Sequence, residues 1–96
     1  MGKTIVVQIG NSDNKLTQGE WAQFCAMVKD IVAANVRVIH FQGGSDWDAP
    51  WQNACWVCEA MPETSFMERL LRKLTECRKT FTQDSVAVTF GATEFV

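Results

Sequence analysis

Four short stretches of the chain are apolar on alternate positions or on every position, and they predict four β-strands. Residues 3–9 are β-branched and apolar on both faces, which suits a central strand. Residues 36–41, 51–60 and 85–90 supply the other three strands, and residues 92–96 form a short extension of the last one.

Two further stretches repeat their apolar residues with helical spacing. The first helix is expected to begin at Thr17, which has a glutamate three residues later as in a capping box, and to run to about Ala34. The second helix opens at Pro62 or Ser65, and Ser65 and Glu68 again have capping-box spacing. Its polar face is rich in arginine and lysine, as expected for a solvated face.

The predicted element order is β-α-β-β-α-β, which places the chain in the α+β class. Two helices on one face of a four-stranded sheet is the ferredoxin-like arrangement, and 96 residues fit a single domain over 1–96. In this topology the polar loops at 11–15, 43–53 and 78–84 lie at the same end of the sheet. We therefore expect this end to hold most of the unusual side chains.

The loop before the third strand combines tryptophans with amides. Trp47 and Trp51 offer flat faces for stacking, and Gln52 and Asn53 carry donors and acceptors that can read the edge of a base. Arg78 falls at the end of the second helix beside these loops. It could bind a phosphate with two hydrogen bonds or simply complement the helix dipole.

Charge and composition narrow the classes of partner. The chain has nine basic and eleven acidic residues, a net charge of −2, which argues against binding long nucleic acids. No apolar run is long enough to span a membrane, and no secretory signal is evident, so we expect a cytoplasmic protein. No phosphate-binding loop or dinucleotide fingerprint is present, and no cofactor is predicted.

Strand alternation assigns faces to several candidate reactive groups. It puts Val38 and His40 on one face of the second strand and Phe41 on the other. It also points the two thiols of the Cys55–Cys58 CxxC motif to opposite faces, which favours free, buried thiols over a redox pair. No second CxxC or histidine pair completes a metal site, and no nucleophile motif accompanies the single histidine. No catalytic or metal-binding residue is predicted.

Three segments together resemble a family of small bacteriophage and prophage proteins, the first-described Thoeris anti-defence family. They are residues 11–18 with Glu20 and Trp21, residues 49–56, and residues 83–87 with residues 93–95. The resemblance implies a protein that is not an enzyme. It implies sequestration of a cyclic ADP-ribose-type immune signal, assembly as a homo-oligomer with the nucleotide near subunit interfaces, and in some members separate sites for cyclic oligonucleotides.

Within that implied function, side-chain chemistry suggests which residues contact the nucleotide. Trp47 or Trp51 would stack on adenine, the neighbouring amides would bind its edge or the ribose, and Arg78 or Arg69 would bind the pyrophosphate. The full candidate set is Asn11, Asp13, Trp47, Trp51, Gln52, Asn53, Arg69, Arg78, Gln83 and Asp84.

Two other functions stay open from the sequence. A phage protein that inhibits a host protein by direct contact would carry an exposed apolar patch. A binder of single-stranded RNA would stack bases on sheet-face aromatics and would usually be basic, so the net charge of −2 makes it the weakest candidate.

Overall fold

A computed structural model describes residues 2–46 and 48–96. Within these residues the elements are β1 (Gly2–Gly10), a 3-10 turn (Ser12–Asn14), α1 (Gln18–Asn35), β2 (Val38–Gly44), β3 (Asn53–Glu59), α2 (Ser65–Thr80) and β4 (Ala87–Thr93). The strands form one antiparallel sheet in the order β2-β3-β1-β4. The ferredoxin-like prediction is confirmed.

One face of the sheet carries the hydrophobic core. Ile5, Val7 and Ile9 of β1 are buried, and opposite them on β3 stand Cys58, Trp56 and Ala54. The helices cover this face with a second buried set: Phe24, Val28, Val32, Phe66, Leu70, Leu74 and Cys77. Alternate residues of the strands point to the other face, which we call the open face because neither helix packs on it.

The start of α1 follows the sequence prediction closely. The backbone N–H of Glu20 donates to Thr17 Oγ1 at 3.2 Å, and the backbone N–H of Thr17 donates to Glu20 Oε1 at 2.9 Å. This capping box satisfies two donors that the first turn of a helix leaves unpaired. The prediction of a capping box at Ser65 is wrong. Helix α2 begins at Ser65, and the residue before it, Thr64, has helical dihedral angles and makes no side-chain capping bond.

The second strand lies two to three residues further along than predicted. Val36 ends α1, because its N–H donates to Val32 O at 3.0 Å. Gly43 and Gly44, expected in the loop, pair with β3. A Cβ on Gly44 would come within 2.6 Å of the carbonyl oxygen of Asn53, so the close approach of the two strands requires glycine there.

A bulge in β2 changes the face of one aromatic residue. The pairing shifts between Ile39 and Phe41, so that Val38 stands opposite Glu59 and Phe41 opposite Val57. Glu59 and Val57 share a face of β3, and Phe41 therefore joins Val38 on the open face. The prediction that strict alternation would separate these two residues is wrong, because the extra residue breaks the period of two.

The remaining strand bounds differ in smaller ways. β3 begins at Asn53, two residues later than predicted, and Trp51 and Gln52 stay in the loop. β4 runs from Ala87 to Thr93, so the predicted extension is partly the same strand. Neither helix in the described part of the chain has the length and apolar character that a membrane span requires.

Candidate functional site

The three polar loops meet at one end of the sheet, as the topology predicts. The backbone N–H of Asn11 donates to the Gln52 carbonyl at 3.0 Å, and the N–H of Ser12 donates to Gln83 Oε1 at 2.9 Å. Lys15 Nζ lies 3.5 Å from a carboxylate oxygen of Asp84. We call residues 11–15, 45–46, 48–52 and 81–86 the loop end.

Two of the predicted contact residues hold the loop end together from inside. Asn11 is 5 % exposed, and its amide both donates to the carbonyl of Leu16 at 3.0 Å and accepts from its N–H at 2.9 Å. Gln83 is 3 % exposed and donates from Nε2 to the carbonyl of Phe81 at 3.1 Å. Their polar atoms are therefore engaged by the protein itself.

The predicted aromatic platform is on the surface. Trp51 is 72 % exposed and stands directly before Gln52 and Asn53. Its burial is too low for a core residue of this size, and an exposed tryptophan beside amides is typical of a contact site. Trp47, the other candidate, lies outside the described residues.

Three of the four charged candidates lie at the loop end and the fourth does not. Asp13 is exposed at the loop end and has a positive φ of 52°, and Asp84 is paired with Lys15. Arg78 also lies at the loop end, where Nη1 donates to the carbonyl of Gln83 at 3.1 Å. Arg69 is not brought there. It lies in the first turns of α2, at the far end of the sheet, 3.8 Å from Glu63.

A groove between α1 and the β2–β3 corner opens at the loop end. It consists of two adjoining clefts of about 340 and 300 Å³ that share Cys25 and Gly43. We call it the α1 groove, and its lining is Gln18, Trp21, Cys25, Ala26, Lys29, Gln42, Gly43, Gly44, Ser45, Asp46, Gln52, Asn53, Ala54 and Trp56.

The α1 groove contains two side-chain amides that bond to each other, one of which also accepts from Asn11, and it is lined by groups without a partner in the described part of the chain. Gln52 Nε2 donates to Gln18 Oε1 at 2.8 Å, and Gln18 Nε2 donates back to Gln52 Oε1 at 3.2 Å. The indole N–H of Trp56 is buried and has no acceptor among the described residues. Lys29 takes part in none of the ion pairs found among those residues. A buried N–H without a partner among the described residues is unusual, and here it belongs to a side chain that lines the groove.

Sequence reasoning missed the helix side of this groove. Gln18, Trp21, Cys25 and Lys29 stand three or four residues apart and so share one face of α1. That spacing was visible in the sequence. What was not visible is that this face forms one wall of a groove beside β2, because its placement depends on how α1 packs across the sheet.

The cysteines have the character of structural thiols. Cys58 lies on the core face and Cys55 on the open face, which confirms the predicted separation. Burial, with a smaller effect of nearby Cys55, raises the pKa of Cys58 to about 11. Burial also raises the pKa of Cys25 and of Cys77. These three thiols are therefore poor nucleophiles near neutral pH. No group of three or more metal-ligating side chains occurs among the described residues.

A larger cleft of about 600 Å³ lies at the far end, between the loop after β3 and the end of β4. Its lining is mostly apolar, and its charged groups are largely paired: Arg37 Nη1 donates to Glu59 Oε2 at 2.7 Å, and Glu63 faces Arg69. Each cleft of the α1 groove is smaller, but together they are lined by the two amides, the ammonium of Lys29 and the indole of Trp56. Those polar groups make it the better candidate site.

No protein-family model and no curated protein matches the chain. Solved structures do match. A dimeric ferredoxin-like protein of unknown function from Thermobifida fusca YX superposes with a TM-score of 0.63 at 9 % identity, over 96 % of this chain and 92 % of that one. The C-terminal domain of the MgtC protein from Mycobacterium tuberculosis superposes with a TM-score of 0.58 at 14 % sequence identity. The match covers 97 % of this chain and 89 % of that one. A phage SAM lyase in complex with S-methyl-5′-thioadenosine superposes with a TM-score of 0.56 at 14 % sequence identity. The match covers 94 % of this chain and 80 % of that one. At these identities the chain shares the ferredoxin-like fold with all three.

Proposed function

We propose that this protein is a binding protein that sequesters a cyclic ADP-ribose-type nucleotide in the α1 groove without cleaving it. One observation carries the proposal. The Gln18–Gln52 amide pair lines one cleft of the groove, Trp56 lines the adjoining cleft, and Trp51 stands exposed next to Gln52.

The amide pair suits the edge of a purine. Each amide of Gln18 and Gln52 presents a donor and an acceptor side by side, as adenine does on its Watson–Crick edge. Adenine can therefore take the place of either amide and restore both hydrogen bonds. Trp51 is exposed directly before Gln52, and in this proposal its indole face stacks on the same base, an interaction worth about 1–3 kcal/mol.

A cation is available for the phosphates. Lys29 lines the groove on the α1 side, and its ammonium makes no ion pair among the described residues. A single lysine can hold a phosphate as a point charge. In this proposal Lys29 takes the role first considered for Arg69 and Arg78, because Arg69 lies at the far end and Arg78 is bonded to Gln83.

Retention without turnover fits the side chains near the groove. Cys25 is the thiol that lines it, and its raised pKa leaves it protonated at neutral pH. His40, the only histidine in the chain, lies on β2 with Nε2 3.8 Å from Glu59, and it does not line the groove. The proposal therefore assigns no catalytic residue.

The biological setting is proposed from the family resemblance and from two structural neighbours. The family resemblance points to a phage or prophage protein that acts in the cytoplasm of its host. A homo-oligomer is supported by the Thermobifida fusca neighbour, which is dimeric. The phage SAM lyase holds an adenine nucleoside thioether, which is compatible with an adenine-containing ligand on this fold.

Calorimetric titration of the purified protein with glycocyclic ADP-ribose tests the proposal. We expect saturable binding and recovery of the intact nucleotide after heat denaturation of the protein.

Trp51→Ala, Asn53→Ala and Lys29→Ala should each weaken binding about tenfold or more. Phe41→Ala and Lys79→Ala, which change an exposed aromatic and an exposed cation elsewhere, should not. The absence of heat with the wild type would reject the ligand, and unchanged affinity in all three variants would reject the site. A cleaved product would indicate a nucleotide-degrading enzyme.

A second candidate function is inhibition of a host protein through the open face. Val38 and Phe41 are 41 % and 59 % exposed there, side by side on β2. Exposed apolar side chains grouped on one surface are typical of a protein contact. Phe41→Ala separates the two functions, because it would abolish such a contact and leave nucleotide binding intact.

A further inference from the structure

We infer that β4 pairs with β4 of a second copy of this chain, so that the two sheets join edge to edge into one. The inference names a surface for the homo-oligomer of the proposed function. It does not depend on the nucleotide. β4 is the outer strand on its side of the sheet, and it pairs with β1 at every position from Ala87 to Thr93. Its other edge therefore presents unpaired backbone donors and acceptors.

The sequence of β4 offers that edge no protection. Natural edge strands usually carry charged residues, proline or a bulge, because these block pairing with another chain. Residues 87–93 read Ala-Val-Thr-Phe-Gly-Ala-Thr and contain none of these features. The opposite edge, β2, has both a bulge and His40. Of the two edge strands, β4 is therefore the one whose sequence permits pairing with another chain.

The composition of β4 also favours a second copy over another partner. An antiparallel pair of identical strands that uses all seven residues centres on Phe90, which then stands opposite its own copy. Thr89 stands opposite Gly91, and Val88 opposite Ala92. No charged residue meets a like charge in this register. Phe90 is 47 % exposed, and pairing with its copy would bury much of that surface.

The expected dimer is modest in strength. A seven-residue strand is about 24 Å long, so the contact covers a few hundred Å² per subunit, below the roughly 800 Å² of a standard interface. Lys3 Nζ lies 5.4 Å from the centre of the Phe90 ring, on β1 and away from the new strand pair. The pairing therefore leaves this contact in place, and the dimer should depend on protein concentration.

Sedimentation of the full chain without nucleotide tests the pairing. The wild type should pass from one chain mass towards two between about 1 and 200 μM. Phe90→Lys and Phe90→Glu should each stay monomeric, because two like charges would face each other across the axis. An equimolar mixture of the two variants should restore the dimer. Phe41→Lys on β2, the matched control, should behave as the wild type.

A cysteine scan keeps the inference testable if circular dichroism shows that the charged variants unfold. Phe90→Cys should form an intermolecular disulfide under mild oxidation, because paired Cα atoms stand about 5.5 Å apart. Thr89→Cys, which faces Gly91, should cross-link no more than the wild type. A wild type that stays monomeric at about 200 μM, a Phe90→Lys variant that still dimerises, or equal cross-linking at both positions would overturn the inference. Loss of nucleotide binding with an intact dimer would reject the proposed function alone.

Discussion

Asn11 and Gln52 are joined twice, once through the backbone and once through their side chains. The N–H of Asn11 donates to the Gln52 carbonyl, and Asn11 Nδ2 donates to Gln52 Oε1, each at 3.0 Å. Gly10 and Asn53, their neighbours, form the last pair between β1 and β3. The two bonds therefore carry the β1–β3 pairing into the loop end, and they fix the residue that faces Gln18 across the groove.

Asn11→Ala is expected to destabilise the protein by about 1–3 kcal/mol, because it leaves the N–H and the carbonyl of Leu16 without their buried partners. The free energy of unfolding in urea measures the effect. Asn53→Ala is the control: Asn53 is exposed, and its free energy of unfolding should change by less than about 0.5 kcal/mol. Equal effects of the two substitutions would contradict the structural role of Asn11.

Thr17→Ala should cost about 1 kcal/mol of stability, because the first turn of α1 loses the side-chain acceptor of its capping box. Thr64→Ala is a matched control before the other helix, where the threonine makes no cap and little change is expected. Thermal unfolding of both variants beside the wild type measures the difference. A larger loss for Thr64→Ala would show that the caps are assigned to the wrong helix.

The contribution of Glu20 should depend on pH. Hydrogen bonds from the backbone and side chain of Thr17 lower the pKa of Glu20 from its ordinary value of 4.5. A lowered pKa in the folded state stabilises the fold above pH 4.5, and the effect is lost as the pH falls through the folded pKa. The stability difference between the wild type and Glu20→Ala should therefore be largest above pH 4.5 and shrink in acid. Melting temperatures over a pH series measure it, and a constant difference would argue against the capping bond.

Cys58 should resist alkylation in the native protein. Its pKa of about 11, against an ordinary 9.0, leaves about 100-fold less thiolate at pH 8. Mass spectrometry after iodoacetamide treatment should find Cys58 modified only once the protein is unfolded. Oxidation should yield no Cys55–Cys58 disulfide, because the thiols lie on opposite faces of the sheet. Such a disulfide in the folded protein would contradict the strand conformation of residues 55–58.

The sequence predicted the parts of this molecule that depend on local chemistry. The element order, the capping box at Thr17 and the meeting of the three loops all follow from periodicity and from turn residues. The prediction was wrong where contacts with a neighbouring strand determine the structure. Gly44 belongs to β2 because β3 passes within contact distance, and Phe41 changes face because the bulge adds a residue.

The same distinction applies to the two sides of the candidate site. The loop side, with Trp51 and Gln52, was predicted from composition. The helix side, with Gln18 and Lys29, required the packing of α1 on the sheet. Arg69 was grouped with the loops by charge alone, although the first turns of α2 lie at the far end of the sheet.

If the α1 groove binds a ligand as we propose, the reciprocal bonds between Gln18 and Gln52 provide a basis for selectivity. The two amides satisfy each other, so a molecule that enters between them must first break two hydrogen bonds. A ring with an adjacent donor and acceptor restores both bonds, whereas a simple anion restores only the bond from the amide N–H and an apolar molecule restores neither. A matching ligand would then replace the hydrogen bonds between the two amides with its own. A ligand that cannot do so would leave the amides unpaired and would therefore bind more weakly.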